Sequence, residues 1–93
     1  MSLTVELRFY AHLRDIVGQK TIERSFAGET TVRDVLDDLV EEFPELADHV
    51  FDEDEALRTT LVVRKDRSNV SGDESVTDGD SLALTTQIVG GRV

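Results

Sequence analysis

The 93 residues suffice for one small domain, and 39% of them are apolar, which is enough to build a core. Cysteine is absent, so disulfides, thiolate metal sites and cysteine nucleophiles are excluded. Twenty acidic residues against ten basic ones give a formal net charge of −10, which argues against nucleic acid or anionic membranes as partners. Neither a signal-peptide pattern nor a membrane-length apolar run is visible, so we expect a cytoplasmic protein.

The acidic residues are spread along the whole chain, and only two of the ten basic residues, Lys20 and Lys65, are lysines. Two interpretations remain open. The acidic surface is suited to a very salty cytoplasm, where the Debye length falls to roughly 3 Å at 1 M salt and self-repulsion fades. It is also suited to a basic partner protein. The even spread of the charges favours the first interpretation.

Residues 3–10 alternate between apolar and polar side chains, which is typical of a half-buried strand. Residues 21–26 alternate again. The segment 11–17 breaks the pattern, and Gly18 follows it as a turn residue. These features predict an antiparallel hairpin whose two strands are joined by a long loop.

The next segment predicts the main helix. Its apolar residues recur at helical spacing along one face: Val32, Val35, Leu36, Leu39, Val40 and Phe43. Thr31 is a suitable N-cap and Asp34 lies at the capping-box position. Pro44 should end the helix at Phe43.

The remaining chain predicts a mixed connection at 45–57, a strand at 60–65 and short strand pieces near Val70 and Val76. Asp78-Gly79-Asp80 predicts a turn that leads into a last strand at 81–85. This order is that of an α+β β-grasp, or ubiquitin-like, domain: a four- to five-stranded mixed sheet with one main amphipathic helix. We expect the domain to span residues 1–86 and a flexible tail to span residues 87–93.

Catalytic chemistry is not indicated within the domain. His12 and His49 lie far apart in the sequence without a ligand pattern, so we predict no metal site. No glycine-rich phosphate loop and no activated nucleophile are apparent, so we predict neither a cofactor nor an enzyme. The chemically distinctive feature is Gly90-Gly91, because glycine lets a chain enter a narrow channel and leaves its carboxyl carbon unhindered.

Two motifs resemble those of a known family. Residues 9–18, FYAHLRDIVG, resemble the first loop of the ubiquitin-like sulfur carriers of the MoaD/ThiS type, which include the thiamin sulfur carrier and the small archaeal modifier proteins. Asp78-Gly79-Asp80 followed by Gly90-Gly91 is similar to the end of those proteins, where the same turn opens the last strand. The helix is also similar, so the resemblance covers essentially the whole chain.

This resemblance implies that an E1-like enzyme adenylates the carboxylate of Gly91, while Gly90 provides clearance. The product would be a thiocarboxylate for a sulfur-transfer partner or an isopeptide bond to a lysine of a target protein. Because Arg92-Val93 follow Gly91, a maturation protease must first cleave between Gly91 and Arg92. Lys20 and Lys65 are candidate acceptors, although two plain surface lysines are the simpler interpretation. We expect a monomer.

Two alternatives stay open. The chain is compatible with a non-covalent β-grasp interaction module whose tail is vestigial. It is also compatible with a small subunit of molybdopterin synthase, but this family usually has Phe-Pro-Pro where this chain has Thr85-Thr86-Gln87. Proline would stiffen such a tail, so its loss ranks the subunit lower.

Overall fold

The computed structural model describes residues 2–86, and five of its strands form one mixed sheet. Strand β1 (Ser2–Phe9) pairs antiparallel with β2 (Thr21–Ala27) and parallel with the last strand, β7 (Ser81–Thr86). On the other side of β7, β4 (Leu61–Lys65) runs antiparallel to it and pairs with β5 (Ser68–Asn69). The order β2-β1-β7-β4-β5 confirms the predicted β-grasp fold and places the last strand at the centre of the sheet.

The main helix, α2 (Val32–Glu42), begins at the predicted cap. The backbone N–H of Asp34 donates to Thr31 Oγ1 at 3.2 Å, and the N–H of Thr31 donates to Asp34 Oδ2 at 3.0 Å. This reciprocal pair is a capping box and satisfies two donors that the first helical turn leaves free. The helix ends at Glu42, one residue before the predicted end, and Pro44 opens a short 3₁₀ turn (Pro44–Leu46).

The prediction of a loop between β1 and β2 is wrong for residues 11–17. Residues Ala11–Val17 form a helix, α1, which buries Leu13 and Val17 against the core. Gly18, with φ 82°, closes it by donating its N–H to Arg14 O at 2.8 Å. A helix of two turns is too short for periodicity to detect, and its stability comes from packing rather than from helix propensity.

A second, two-stranded sheet was not expected. Strand β3 (Thr30–Thr31) pairs antiparallel with β6 (Ser75–Val76) immediately before α2 begins. Val76 is buried, as expected for an anchoring residue. A third short helix, α3 (Ala47–Val50), lies within the mixed connection and buries Val50.

The core lies between α2 and the inner face of the main sheet. Fifteen hydrophobic residues between positions 2 and 86 are buried there, and α2 contributes Val32, Val35, Leu36 and Leu39. The sheet contributes alternate residues of β1 and β7 in particular: Val5, Leu7, Phe9, Leu82 and Leu84. The intervening residues of both strands therefore form the outer face of the sheet. None of the helices in the described part of the chain has the length and apolar composition needed to cross a bilayer.

Candidate functional site at the end of the central strand

Strand β7 carries the chain toward the glycines. Leu82 and Leu84 are buried on its inner side, and β1 and β4 hold its two edges. The strand ends at Thr86, the last residue that the structure describes. Gly90, Gly91 and Arg92 lie outside the described residues, as does the predicted tail 87–93 as a whole. The structure therefore describes the strand that directly precedes the tail in the sequence.

The Asp78-Gly79-Asp80 turn fixes where β7 begins. The Thr4 N–H donates to Asp78 Oδ1 at 2.8 Å, and the Gly79 N–H donates to Thr4 O at 2.8 Å. Asp80 O accepts from the Glu6 N–H at 2.9 Å, which continues the pairing into the β1–β7 ladder. Gly79 has φ 88°, a left-handed conformation that side chains disfavour. This motif therefore sets the register of the last strand against the first.

The other family-like motif lies at the opposite end of β7. The Tyr10 N–H donates to Leu84 O at 3.1 Å, so the chain leaves β1 in contact with the end of the last strand. Phe9 is buried, whereas the neighbouring Tyr10 side chain is 47% exposed and is the one large exposed hydrophobic residue within 2–86. Both motifs thus hold β7, one at each end.

Charged groups surround the start of β7 on the outer face. Glu6 Oε1 accepts from Arg8 Nε and from Ser81 Oγ, each at 2.9 Å. The hydrogen bond from Arg8, supported by that from Ser81, lowers the pKa of the Glu6 carboxyl below its ordinary value. Glu6 in turn raises the pKa of Arg8, mainly through the same hydrogen bond. The side chains of Arg8 and Glu6 are 53% and 34% exposed, so this pair orders the surface of the sheet.

The two lysines differ in their surroundings. Lys65 Nζ donates to Ser75 O at 3.0 Å and lies 3.4 Å from Glu74 Oε2 and 3.5 Å from Asp80 Oδ2. Its side chain is only 17% exposed. Burial lowers the pKa of Lys65, but the attraction of Asp80 and Glu74 outweighs it, so the pKa is raised. Lys20 is exposed and forms no ion pair with any residue between 2 and 86.

The two histidines meet in the fold although they lie far apart in the sequence. Their rings pack edge to face with centroids 4.7 Å apart, His12 from α1 and His49 from α3. Residues 2–86 contain no cluster of three or more histidine, aspartate or glutamate side chains that could hold a metal ion. Edge-to-face contact is an ordinary packing geometry for aromatic rings, so the pair joins two short helices.

Comparison with known proteins supplies the family. The model of the ThiS family matches residues 7–91, which includes both motifs and both terminal glycines. The chain belongs to the ThiS family. The recognised resemblance to ubiquitin-like sulfur carriers is therefore confirmed.

Two relatives of this ThiS-family chain come from Haloferax volcanii. Small archaeal modifier protein 3 is 34% identical over 92 residues, covering 96% of this chain and 100% of the relative. Small archaeal modifier protein 1 is 32% identical over 87 residues, covering 94% and 100%. The crystal structure of SAMP1 from the same organism superposes with a TM-score of 0.87 at 32% identity, over 95% of this chain and 99% of that one. The whole fold is thus shared with proteins named as modifiers.

Proposed function

We propose that this chain is a ubiquitin-like modifier or sulfur carrier that acts through the carboxylate of Gly91. The observation that carries the proposal is the match to the ThiS family through residue 91, together with full-length similarity to proteins named as modifiers. The fold supports it, because the central strand, which directly precedes the tail in the sequence, is anchored at both ends.

Activation would be carried out by partners. An E1-like enzyme would adenylate Gly91, and the acyl-adenylate would then yield a thiocarboxylate or an isopeptide bond to a lysine of a target. Five extended residues from Gln87 to Gly91 span roughly 16 Å, which would let the glycines enter an active site while the domain stays outside. We propose that these steps take place in the cytoplasm.

Maturation must precede activation. Gly91 is joined to Arg92 by a peptide bond, so it has no free carboxylate until a protease cleaves there. We propose this cleavage as the control point of the protein. A chain that ends at Gly91 should bypass the protease and still be activated.

The two lysines should differ as acceptors of an isopeptide bond. Lys65 Nζ is engaged by Glu74, Asp80 and the Ser75 carbonyl, which would have to be released before the amine could attack an acyl group. Lys20 is exposed. If this chain is itself modified, we therefore expect the bond to form at Lys20 before Lys65.

The experiment expresses three N-terminally tagged forms in the cells that the protein comes from. These are the full chain, a chain ending at Gly91 and a chain lacking residues 90–93. We expect slower-migrating conjugates, or a mass gain equal to exchange of oxygen for sulfur, in the first two forms and neither in the third. Conjugates that persist without the glycines would contradict the proposal.

Mass spectrometry of the conjugates needs one design change. Arg67 is the last basic residue before Arg92, so trypsin would leave residues 68–91 attached to a target lysine. The variant Val89→Arg would shorten this remnant to the two glycines.

The alternative of a non-covalent module with a vestigial tail predicts that removing residues 90–93 leaves every partner interaction intact. The same three forms therefore separate the two functions.

A further inference from the structure

A basic groove lies on the outer face of the sheet, along β7. It has a volume of about 580 Å³ and is lined by Arg8, Tyr10, Arg64, Asp66, Arg67, Ser81, Ala83 and Thr85. Three of the eight arginines in the chain line it, against one acidic residue. In a protein with a net charge of −10, this local excess of positive charge is a distinct surface.

Strand register creates the groove. Arg8 on β1 and Arg64 on β4 both pair with Ala83 on β7, so the three residues form one row across the sheet. The small Ala83 side chain forms the floor, and the two exposed arginines form the walls. Among the described residues, Glu6 accepts from Nε of Arg8 and Tyr10 also interacts with its guanidinium, whose remaining N–H groups can donate to another acceptor.

The turn between β4 and β5 adds the third arginine at a conformational cost. Asp66 and Arg67 have φ 51° and 74°, and Lys65 pairs with Ser68, which defines a two-residue hairpin turn with both central residues left-handed. Glycine is the usual residue at the second position, because an L side chain is strained there. A residue kept in a strained conformation points to a functional role, and here it places a cation at the rim of the groove.

We propose that this groove is a docking site for an acidic segment of a partner protein, in which aspartate or glutamate side chains flank an aromatic residue. Planar guanidinium groups bind carboxylates through two parallel hydrogen bonds. The exposed Tyr10 ring supplies the surface on which an aromatic residue can pack. The partner is thus defined by charge complementarity with three arginines and by one aromatic contact.

Charge elsewhere on the same face favours a short peptide over a nucleic acid. The end of the outer face near the start of β7 is lined by Glu6, Glu23, Asp78 and Asp80, and it adjoins the groove through the hydrogen bonds of Glu6 to Arg8 and Ser81. A phosphate backbone needs an extended basic footprint, and this acidic end would repel it. A short acidic segment can bind on the side of the groove formed by Arg64, Arg67 and Thr85, away from Glu6. This docking does not use Gly91, so it is independent of the proposed activation of the tail.

The test titrates the full chain with a short fluorescein-labelled peptide of aspartates and glutamates around one phenylalanine, and with the matching asparagine–glutamine peptide. We expect the acidic peptide alone to bind and to shift the amide NMR signals of Tyr10, Arg64 and Ala83. Affinity should fall as potassium chloride rises, because salt screens the contacts. Absence of binding, or shifts that map to another surface, would overturn the proposal, as would stronger binding of a single-stranded RNA of equal charge or of inorganic phosphate.

Two variants of one turn provide a matched pair. Arg67→Gly removes a groove cation and relieves a strained conformation, so it should raise the melting temperature yet weaken peptide binding roughly fivefold to tenfold. Asp66→Gly relieves the same kind of strain but removes the opposing charge, so it should raise the melting temperature without weakening binding. Equal effects of both variants on binding would contradict the proposal.

Arg64→Gln and Arg33→Gln complete the set. Arg64 lies in the groove, whereas Arg33 lies on α2 and contacts the Phe51 ring at 4.6 Å. We expect the first variant to weaken peptide binding and the second to leave it unchanged. Unaltered binding in Arg64→Gln would also overturn the proposal.

Discussion

At the scale of single residues, Gly79 determines how the last strand begins. Its φ of 88° is left-handed, and a side chain added there would meet no neighbouring atom within 4 Å. Gly79→Ala should therefore lower the free energy of unfolding by about 1 kcal/mol through backbone strain alone. Urea unfolding measures the change. Gly79→Asn is the control, since asparagine tolerates this conformation; an equal loss in both variants would show that strain is not the cause.

Glu6 gives a second prediction for a single residue. Because hydrogen bonds lower its pKa in the folded state, its stabilising contribution is present above its ordinary value of 4.5 and is lost as pH falls through the lowered pKa. Glu6→Gln should therefore lower the melting temperature at neutral pH, and the difference from the parent chain should shrink below pH 4.5.

Glu41→Gln serves as the control for that pH series. Glu41 is an exposed acid on α2 and forms no ion pair with any described residue. Its melting temperature should follow the parent chain at every pH. A difference between Glu6→Gln and the parent that stays constant down to acid pH would contradict the assignment of the hydrogen bonds.

Local contacts at this scale were predictable, and distant ones were not. The Thr31–Asp34 capping box and the turn at Gly79 involve residues within a few positions of one another, so the sequence indicates both. The His12–His49 contact and the enclosure of Lys65 by Glu74 and Asp80 depend on how separate elements pack. No local pattern carries that information.

At the scale of elements, the fold depends on the apolar face of α2. Leu36 is fully buried between this helix and the sheet. Leu36→Ala should lower the free energy of unfolding by about 2–5 kcal/mol, because it removes buried surface and leaves a cavity. Denaturant unfolding tests this. Glu41→Ala, on the solvent side of the same helix, should change stability by less than about 0.5 kcal/mol. Similar losses from both substitutions would contradict the core assignment.

Length decided which elements the sequence could reveal. The eleven-residue α2 and the strands β1, β2, β4 and β7 show clear periodicity and were predicted. The short strand pieces predicted near Val70 and Val76 correspond to β5 and β6. Helix α1 has seven residues and β3 has two, and neither was predicted. Segments this short do not complete enough periods to be distinguished from loops, and long-range packing decides their conformation.

At the scale of the whole molecule, the net charge of −10 should make stability depend on salt. If the acidic surface is adapted to high salt, the melting temperature should rise from low salt to molar potassium chloride, because screening weakens self-repulsion. A variant with Glu41, Glu45 and Glu53 changed to glutamine carries less charge and should show a smaller rise. A melting temperature that does not increase with salt would exclude this interpretation.

At this scale, the sequence predicted the fold of the domain but not the basic groove on its surface. The family-like motifs at residues 9–18 and 78–80 identified the fold, and they lie at the two ends of β7 that hold the strand in place. The basic groove on the outer face was not predicted, since Arg8, Arg64 and Arg67 come together only through strand register. The proposed chemistry of Gly91 is argued from the sequence and from membership of the ThiS family, because Gly91 lies outside the described residues.

The central claim is that Gly91 becomes a free C-terminal carboxylate. Intact-mass spectrometry of the protein purified from its own cells tests it most directly, with the chain purified from a protease-deficient heterologous host as the reference. We predict a native species whose mass corresponds to a chain ending at Gly91, present as the carboxylate, the thiocarboxylate or a lysine adduct. A native population in which every chain retains Arg92 after Gly91 would contradict the proposed function.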